Sequence, residues 1–313
     1  MSEVALPTHL IARFDPNLYS QRYLAPPTTV QPSYETKSPP PPVLGLLRHD
    51  YMLQGDSGSF KQVEVNTIAS SFGCLSTRLA GVHSAIAKLE DSRRTVLPNH
   101  AIHQIAEGIA AASRLNGGVV VMVVQEGEAN SIDQTIIQQA AAERGARVYR
   151  MSLSEIASSC SDVAFGDDIY IHMGGKKEKV ALFYFRAGYQ PQDYNDESDW
   201  STREIIEGSS AIKCPDVYYH LAGAKKVQQM LAGEGVVESV SGVVGAEQLF
   251  TGLWGLGDDD EDVVNMAIQD KNGYVLKPQR EGGGNNLYKD NMVEALRTMS
   301  RVSRLVWWLY LGF

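Results

Sequence analysis

The stretch of sequence that points most directly to chemistry is YVLKPQREGGGNNLYKD, at positions 274–290. A short predicted strand, Tyr274–Lys277, ends on a lysine and leads through Arg280 and Glu281 into three consecutive glycines. Glycine loses the most backbone freedom on folding, so a triple glycine indicates that a ligand approaches the backbone closely. Bare backbone N–H groups beside cations bind anions, and a neighbouring carboxylate can hold Mg²⁺. The stretch therefore predicts a phosphate site, although it lacks the Walker A and GxGxxG patterns.

A second pair of candidate ligands lies on the strand predicted for FKQVEVN, residues 60–66. Side chains alternate along a strand, so Glu64 and Asn66 point to the same polar face. Their carboxylate and amide oxygens suit a single hard cation such as Mg²⁺. A half-exposed edge strand would carry the same residues, and both readings stay open at this point.

An arginine at the end of an apolar strand forms a third candidate, in the segment YFRAGYQPQDY. Arg186 follows the strand directly, and the small residues Ala187 and Gly188 leave space beside it. A guanidinium group in this position suits a substrate carboxylate. Ordinary loop chemistry would explain the segment equally well.

The middle of the chain predicts a βαβ unit. Residues 118–124 are apolar on both faces, as a central parallel strand requires, and a helix beginning near Ser131 and a strand in ARVYRMSL follow. Ligands usually bind at the carboxyl ends of such strands. Glu128, Asn130 and Gln134 follow the first strand and are therefore candidate ligand contacts, with loop chemistry as the alternative.

The remaining segments complete the predicted organisation. Nine of the 13 prolines lie in the first 42 residues, which predicts a disordered or polyproline leader over 1–43. Further predicted elements are a helix over 75–89, a helix from Asn99 to the NGG at 116–118, two strands in DIYIHMGGKKEKVALFYFR, helices over 201–213 and 216–231, and a last helix from DDDED to Gln269. Residues 234–257 carry no clear pattern.

Composition limits the classes of function. The net charge of −9 argues against a general nucleic-acid binder, because affinity for phosphate backbones comes mainly from lysine and arginine. No apolar run approaches the roughly 18 residues that a membrane span needs. The three cysteines are far apart and lack a CxxC pair, which predicts free thiols in a reducing, cytoplasmic compartment.

These motifs occur together in a known order. The chain resembles eukaryotic-type glutathione synthetase, an ATP-grasp ligase, over about residues 44–299. The motifs that carry the resemblance are LLRHDYML (46–53), QVEVNTIASSFG (62–73), YFRAGY (184–189), CPDVYYHLAGAKKVQQ (214–229) and VLKPQREGGGNNLY (275–288).

The resemblance implies an α/β fold of ATP-grasp type with an inserted small doubly wound parallel-sheet domain. The inserted substrate-binding domain would span 118–215. It would separate 44–117 and 216–313, which form an incomplete catalytic part. The resemblance further implies a homodimer.

The resemblance also implies a reaction. ATP would phosphorylate the cysteinyl carboxylate of γ-glutamylcysteine, and the amine of glycine would attack the acyl phosphate to give glutathione. ATP and Mg²⁺ are the implied cofactors.

The implied Mg²⁺ ligands are Glu64, Asn66 and Glu281. The implied ATP contacts are Glu64, Lys225, Lys277, Pro278, Gln279, Arg280, Glu281, Gly282, Gly283, Gly284, Asn285, Asn286 and Tyr288. The implied contacts to the dipeptide are Arg48, Ile68, Ala69, Ser70, Ser71, Glu128, Asn130, Gln134, Arg186, Ala187, Gly188 and Tyr189. Arg48, Lys277 and Glu281 would act in catalysis.

Several departures from the family pattern shape the expectations. Ala129 and Ala187 stand where the family has arginine and aspartate, and the proline-rich leader replaces a helical region. The final segment SRVSRLVWWLYLGF resembles nothing in the family, whose chain runs on further, so we expect a truncated or mispredicted form. Two other readings remain: a non-catalytic product that binds nucleotide or dimerises, and a peptide ligase whose amine acceptor is β-alanine or serine.

Overall fold

A computed structural model describes residues 42–55, 58–90, 95–160, 166–257, 261–278, 284–304 and 307–311. The strands are β1 (Arg48–Gln54), β2 (Ser59–Asn66), β3 (Val119–Val123), β4 (Val148–Met151), β5 (Tyr170–Met173), β6 (Lys176–Phe185), β7 (Ile212–Cys214), β8 (Leu253–Gly255), β9 (Tyr274–Pro278), β10 (Leu287–Tyr288) and β11 (Trp307–Leu311). The helices are α1 (Gly73–Leu89), α2 (Ala101–Asn116), α3 (Ser131–Ala142), α4 (Leu153–Ser159), α5 (Glu197–Gly208), α6 (Val217–Ala222), α7 (Lys225–Leu231), α8 (Val236–Ser241), α9 (Glu261–Gln269), α10 (Lys289–Thr298) and α11 (Arg301–Arg304).

The described chain divides into two compact units. The first comprises residues 42–48 and 67–220, and the second comprises 49–66 and 221–311. Strand β1 therefore begins in the first unit and continues into the second. The expected leader over 1–43 lies almost wholly outside the described residues.

The first unit is built on a parallel sheet with β3 at its centre. Strands β4 and β6 lie on either side of β3 and run parallel to it, and β7 pairs in parallel with β6. Strand β5 forms an antiparallel hairpin with the first residues of β6. All five residues of β3 are fully buried, which confirms the predicted central strand and the βαβ unit.

Helices α2 and α3 supply the apolar cover on one side of this sheet. Their buried side chains pack with alternate residues of β3 and β6 in one core, which includes Ile109, Met122, Ile137 and Leu182. At the start of β3 a Cβ on Gly118 would overlap the carbonyl oxygen of Lys179, so glycine is required for this close backbone approach.

The second unit contains an antiparallel sheet in the order β10-β9-β11-β8. One face carries Leu276 and Leu309, which pack with buried residues of α9 and α10 such as Val264 and Met292. On the other face Leu253, Trp308 and Tyr310 form a cluster with the partly buried Val63 and Ala232. The sheet is thus covered by apolar side chains on both faces.

The chain's final described segment, for which the sequence predicted no structural role, forms a central strand. Strand β11 lies between β9 and β8. Leu309 is fully buried, and Trp308 and Tyr310 are nearly so. Because both faces of a central strand are covered, an unbroken apolar run is what such a position requires.

Two helix predictions were wrong in their extent. The helix predicted over 201–213 ends at Gly208, and the residues after it form β7, whose Ile212 is buried at the edge of the sheet. Pairing with β6 favours the extended conformation there over local helix propensity. The helix predicted over 216–231 is divided into α6 and α7, since Ala224 adopts an extended conformation between them.

One smaller prediction also needed correction, and part of another lies outside the described residues. Helix α3 begins at Ser131, as expected, with Asn130 at its N-cap and without a side-chain capping bond. Helix α9 is not the last helix, because α10 and α11 follow it. Part of the acidic run that precedes α9, residues 258–260, lies outside the described residues.

The central position of β11 can be tested by a pair of matched substitutions. Leu309→Ala should lower the free energy of unfolding by about 3–5 kcal/mol, because it leaves a cavity at a fully buried site. Leu97→Ala, at a side chain that is 78% exposed, should change it by less than about 0.5 kcal/mol. Urea denaturation of both variants measures the difference, and equal effects would contradict the central strand.

Candidate functional site

The two lysines predicted to contact phosphates both lie in the second unit. Lys277 is on β9, and Lys225 is the buried first residue of α7. The ammonium nitrogen of Lys277 lies 4.0 Å from the centre of the Tyr310 ring, a cation–π contact. The aromatic partner comes from β11, the strand formed by the unexpected final segment.

Charges of both signs surround Lys277. Burial lowers the pKa of its ammonium group from the usual value; the nearby positive charge of Lys225 lowers it further, while the carboxylates of Glu64 and Asp50 oppose the shift. Lysines and carboxylates held together in this way can neutralise an anion and bind its metal counterion at the same time. We refer to Lys225, Lys277, Glu64, Asp50 and Asn66 as the lysine–carboxylate cluster.

Side chains on β1 and β2 supply candidate oxygen ligands for a magnesium ion. Glu64 and Asn66 lie on β2 as predicted, and the side-chain nitrogen of Asn66 donates to Asp50 Oδ2 at 3.2 Å. Carboxylate and amide oxygens are the ligand types that Mg²⁺ prefers. Among the described residues, no group of three or more His, Cys, Asp or Glu is arranged to hold a metal. The predicted third ligand, Glu281, lies outside the described residues.

The glycine-rich segment connects two antiparallel strands. Strand β10 returns along β9, with Leu287 opposite Leu276 and Tyr288 opposite Val275. Within the connection, the predicted contacts Gln279, Arg280, Glu281, Gly282 and Gly283 lie outside the described residues. The other predicted contacts in this stretch lie within the described residues: Pro278 is buried, Asn286 is partly buried, and Gly284, Asn285 and Tyr288 are exposed. The Tyr288 hydroxyl accepts a hydrogen bond from the side-chain nitrogen of Asn286 at 3.3 Å.

The predicted substrate residue Arg186 forms a buried ion pair in the first unit. Its Nη1 donates to Asp133 Oδ2 at 2.8 Å, and both side chains are almost completely buried. The thiol of Cys74 also donates to the Asp133 carboxylate, and burial raises the pKa of that thiol to about 11. Arg186 is therefore fixed by an internal partner, and its contact with a substrate carboxylate stays a prediction.

The loop that follows Arg186 is held by one carboxylate. Asp193 Oδ2 accepts from the backbone N–H groups of Gly188, Tyr189 and Gln190 at 3.2, 3.0 and 3.4 Å. The Nε2–H of His220 donates to the carbonyl of Tyr189 at 3.1 Å, and burial lowers the pKa of this histidine to about 3. His220 is thus neutral near pH 7, and the loop conformation is set by neighbouring groups.

The other predicted substrate contacts also lie in the first unit. Glu128 Oε1 accepts from the backbone N–H of Asn130 at 2.9 Å, and Gln134 is buried on α3. The guanidinium carbon of Arg48 lies 5.9 Å from the centre of the Phe72 ring. Residues 68–71 form a partly buried segment after β2, in which Ala69 has a positive φ of 51°.

A polar cavity of about 260 Å³ opens at the carboxyl ends of the parallel strands in the first unit. Of the predicted substrate contacts, Ala187 and Gly188 line it. Ser152, Asp193 and Asp199 contribute further polar groups to the wall. The cavity occupies the edge at which ligands bind in doubly wound sheets.

Three acidic residues near the predicted sites were missed in the sequence. Asp133 had a readable signal, because it lies four residues before Ile137 and so shares the buried face of α3. Asp50 and Asp193 had no such signal. Asp50 accepts a hydrogen bond from Asn66, which approaches it only when the chain folds, and Asp193 accepts from backbone N–H groups such as that of Tyr189, which depends on the conformation of the loop.

The fold and the cluster define a class of protein. A partly buried lysine on an antiparallel sheet and a buried lysine on the helix α7, together with the oxygen ligands of β1 and β2, occur in a chain that also folds a doubly wound unit. This combination is a mixed α/β architecture of ATP-grasp type. Residues 28–310 match the family model described as eukaryotic glutathione synthase, ATP binding domain. The chain belongs to the eukaryotic glutathione synthase family. The match reaches residue 310, so the expectation that the Trp-rich segment is foreign to the family was wrong.

Individual relatives agree with this assignment. The chain is 38% identical over 270 residues to a glutathione synthetase of Xenopus laevis, covering 81% of this chain and 56% of that protein. It is 39% identical over 272 residues to a chloroplastic glutathione synthetase of Arabidopsis thaliana, covering 82% of this chain and 49% of that protein. The chain therefore spans about half the length of the curated relatives that it matches.

A solved structure shares the fold. It is a glutathione synthetase-like effector from Globodera pallida in apo form, with a TM-score of 0.66 and 20% sequence identity, covering 87% of this chain and 60% of that chain. Among the described helices, none has the length and apolar content needed to cross a membrane.

The Arg186–Asp133 pair generates a stability prediction. Asp133→Leu should lower the free energy of unfolding by about 3–5 kcal/mol, because it leaves a buried guanidinium group without its charged partner. The double variant Asp133→Leu with Arg186→Leu should recover most of this loss. Denaturant unfolding measures both variants.

An exposed ion pair supplies the control for that comparison. Glu107→Leu, in the pair Arg114–Glu107, should cost less than about 1 kcal/mol because solvent screens this pair. A double variant at 133 and 186 that is no more stable than the single variant would show that the buried pair does not dominate the effect.

Proposed function

We propose that this chain carries out ATP-dependent joining of γ-glutamylcysteine and glycine to form glutathione. The observation that carries the proposal is the lysine–carboxylate cluster, in which two lysines and the oxygen ligands of β1 and β2 lie within one unit of a glutathione synthase family member. The activity of the whole protein is a proposal because the chain spans about half of its relatives' length.

The cluster suits the first chemical step. A carboxylate is a poor electrophile, so the cysteinyl carboxylate of the dipeptide must be activated, here by transfer of the terminal phosphoryl group of ATP. Lys277 and Lys225 would contact the phosphates and offset their charge. Glu64 and Asn66 would hold Mg²⁺, with Glu281 as the third ligand that the sequence predicts. When bound, this ion would neutralise charge that develops on the phosphate oxygens.

The first unit would bind the dipeptide. All the residues that the resemblance assigns to γ-glutamylcysteine lie within it, although they come from distant parts of the sequence. The buried pair with Asp133 orients Arg186, and Asp193 holds the loop that contains Gly188 and Tyr189. Positioning of this kind lowers the barrier for the following attack by glycine, because it restricts the relative motion of the reactants.

Several finer expectations remain predictions. The amine acceptor could be β-alanine or serine in place of glycine, and a nucleotide-binding product without turnover remains the alternative of a different class. The homodimer, the cytoplasmic location and the absence of nucleic-acid partners are likewise predicted from the sequence.

Turnover tests the proposed function directly. ADP release and glutathione formation should both require γ-glutamylcysteine and glycine, and Lys277→Met should reduce kcat/KM by about 100-fold or more because a phosphate contact is lost. Lys88→Met, at an exposed lysine on α1, is the matched control and should retain wild-type turnover. Parallel assays with β-alanine and serine identify the acceptor. ATP binding without product from any acceptor would contradict catalysis and support the non-catalytic alternative.

A further inference from the structure

Strand register brings Lys277 against an aromatic ring of the final strand. Lys277 pairs with Trp308, and Tyr310 pairs with Val275, so Lys277 and Tyr310 are diagonal neighbours on one face of the β9–β11 pair. Diagonal neighbours lie about 7–8 Å apart at the backbone, within reach of a lysine and an aromatic side chain. The resulting distance from Nζ to the ring centre is 4.0 Å.

The ring that contacts the lysine is held rigidly. Tyr310 is 2% exposed and packs in one apolar cluster with Leu253 and Trp308. Trp308 is fixed in turn, because its Nε1 donates to Gln229 Oε1 at 3.2 Å. A ring in these surroundings cannot follow a moving side chain, so it defines a fixed position for the ammonium group.

The charges around Lys277 would pull its ammonium group away from the Tyr310 ring. Glu64 and Asp50 attract the ammonium group, whereas Lys225 repels it. Without a fixed contact, the flexible lysine side chain would turn towards the carboxylates. It would then occupy the oxygens proposed for the metal and withdraw its charge from the phosphates.

We infer that Tyr310 is a positioning residue, whose ring face holds the ammonium group of Lys277 in the orientation that binds the phosphates of a nucleotide. The inference rests on the proposed function, since it assumes that Lys277 contacts phosphate. It assigns to the final segment of the chain an indirect part in nucleotide binding, through Lys277.

Substitution of the ring in the full chain tests this role. Tyr310→Leu should weaken ATP binding about tenfold, the loss expected when a partly desolvated cation–π contact is removed. Tyr310→Phe, which retains the ring face, should bind ATP within about twofold of the wild type. Calorimetric titration with ATP, and separately with adenosine, measures both variants. Adenosine affinity should stay unchanged because adenosine has no phosphates.

Matched variants separate positioning from a structural effect. Tyr274→Leu removes a buried tyrosine from the opposite face of the same sheet and should leave ATP affinity unchanged. The positioning role is wrong if Tyr310→Leu lowers the affinities for adenosine and ATP equally. It is also wrong if Tyr310→Leu leaves both affinities unchanged while Lys277→Met lowers the affinity for ATP. If Lys277→Met also leaves ATP affinity unchanged, the proposed phosphate contact itself is wrong.

Discussion

The partial burial of Lys277 on β9 is the constraint on which the arrangement around it depends. Removing an ammonium group from water is costly unless other groups stabilise its charge. The Tyr310 ring and the carboxylates of Glu64 and Asp50 do so here, while Lys225 adds a second positive charge nearby. Two cations held in this way are stabilised further by a polyanion. This is the physical basis of the proposed contact between the cluster and a nucleotide's phosphates.

Much of this arrangement could be predicted from the sequence. The run from Val119 to Val123 is apolar on both faces, which identified a central strand, and alternation placed Lys277 and Val275 on one face of β9. Glu64 and Asn66 lay on one strand, as their spacing indicated. These features are local, so their residue types and spacing contain enough information.

The remaining features depend on contacts between distant segments. The apolar run at 307–311 could be a terminal extension or a central strand, and only pairing with β8 and β9 decides between them. The sequence indicated Arg186 as a substrate contact, but it gave no sign of the ion pair with Asp133, 53 positions earlier. Residues 212–214 form a strand because β6 offers a free edge there, which no three-residue pattern could reveal.

The central claim is that the face of β9 and β11 holds the phosphates of a nucleotide against Lys277 and Lys225. Labelling with adenosine diphosphopyridoxal tests this claim most directly. The aldehyde of this reagent condenses with lysine amines close to its bound diphosphate, borohydride reduction makes the bond permanent, and peptide mapping identifies the labelled lysine. The account predicts that Lys277 or Lys225 is labelled and that ATP prevents the labelling. Labelling confined to exposed lysines such as Lys88, or labelling that ATP does not change, would contradict it.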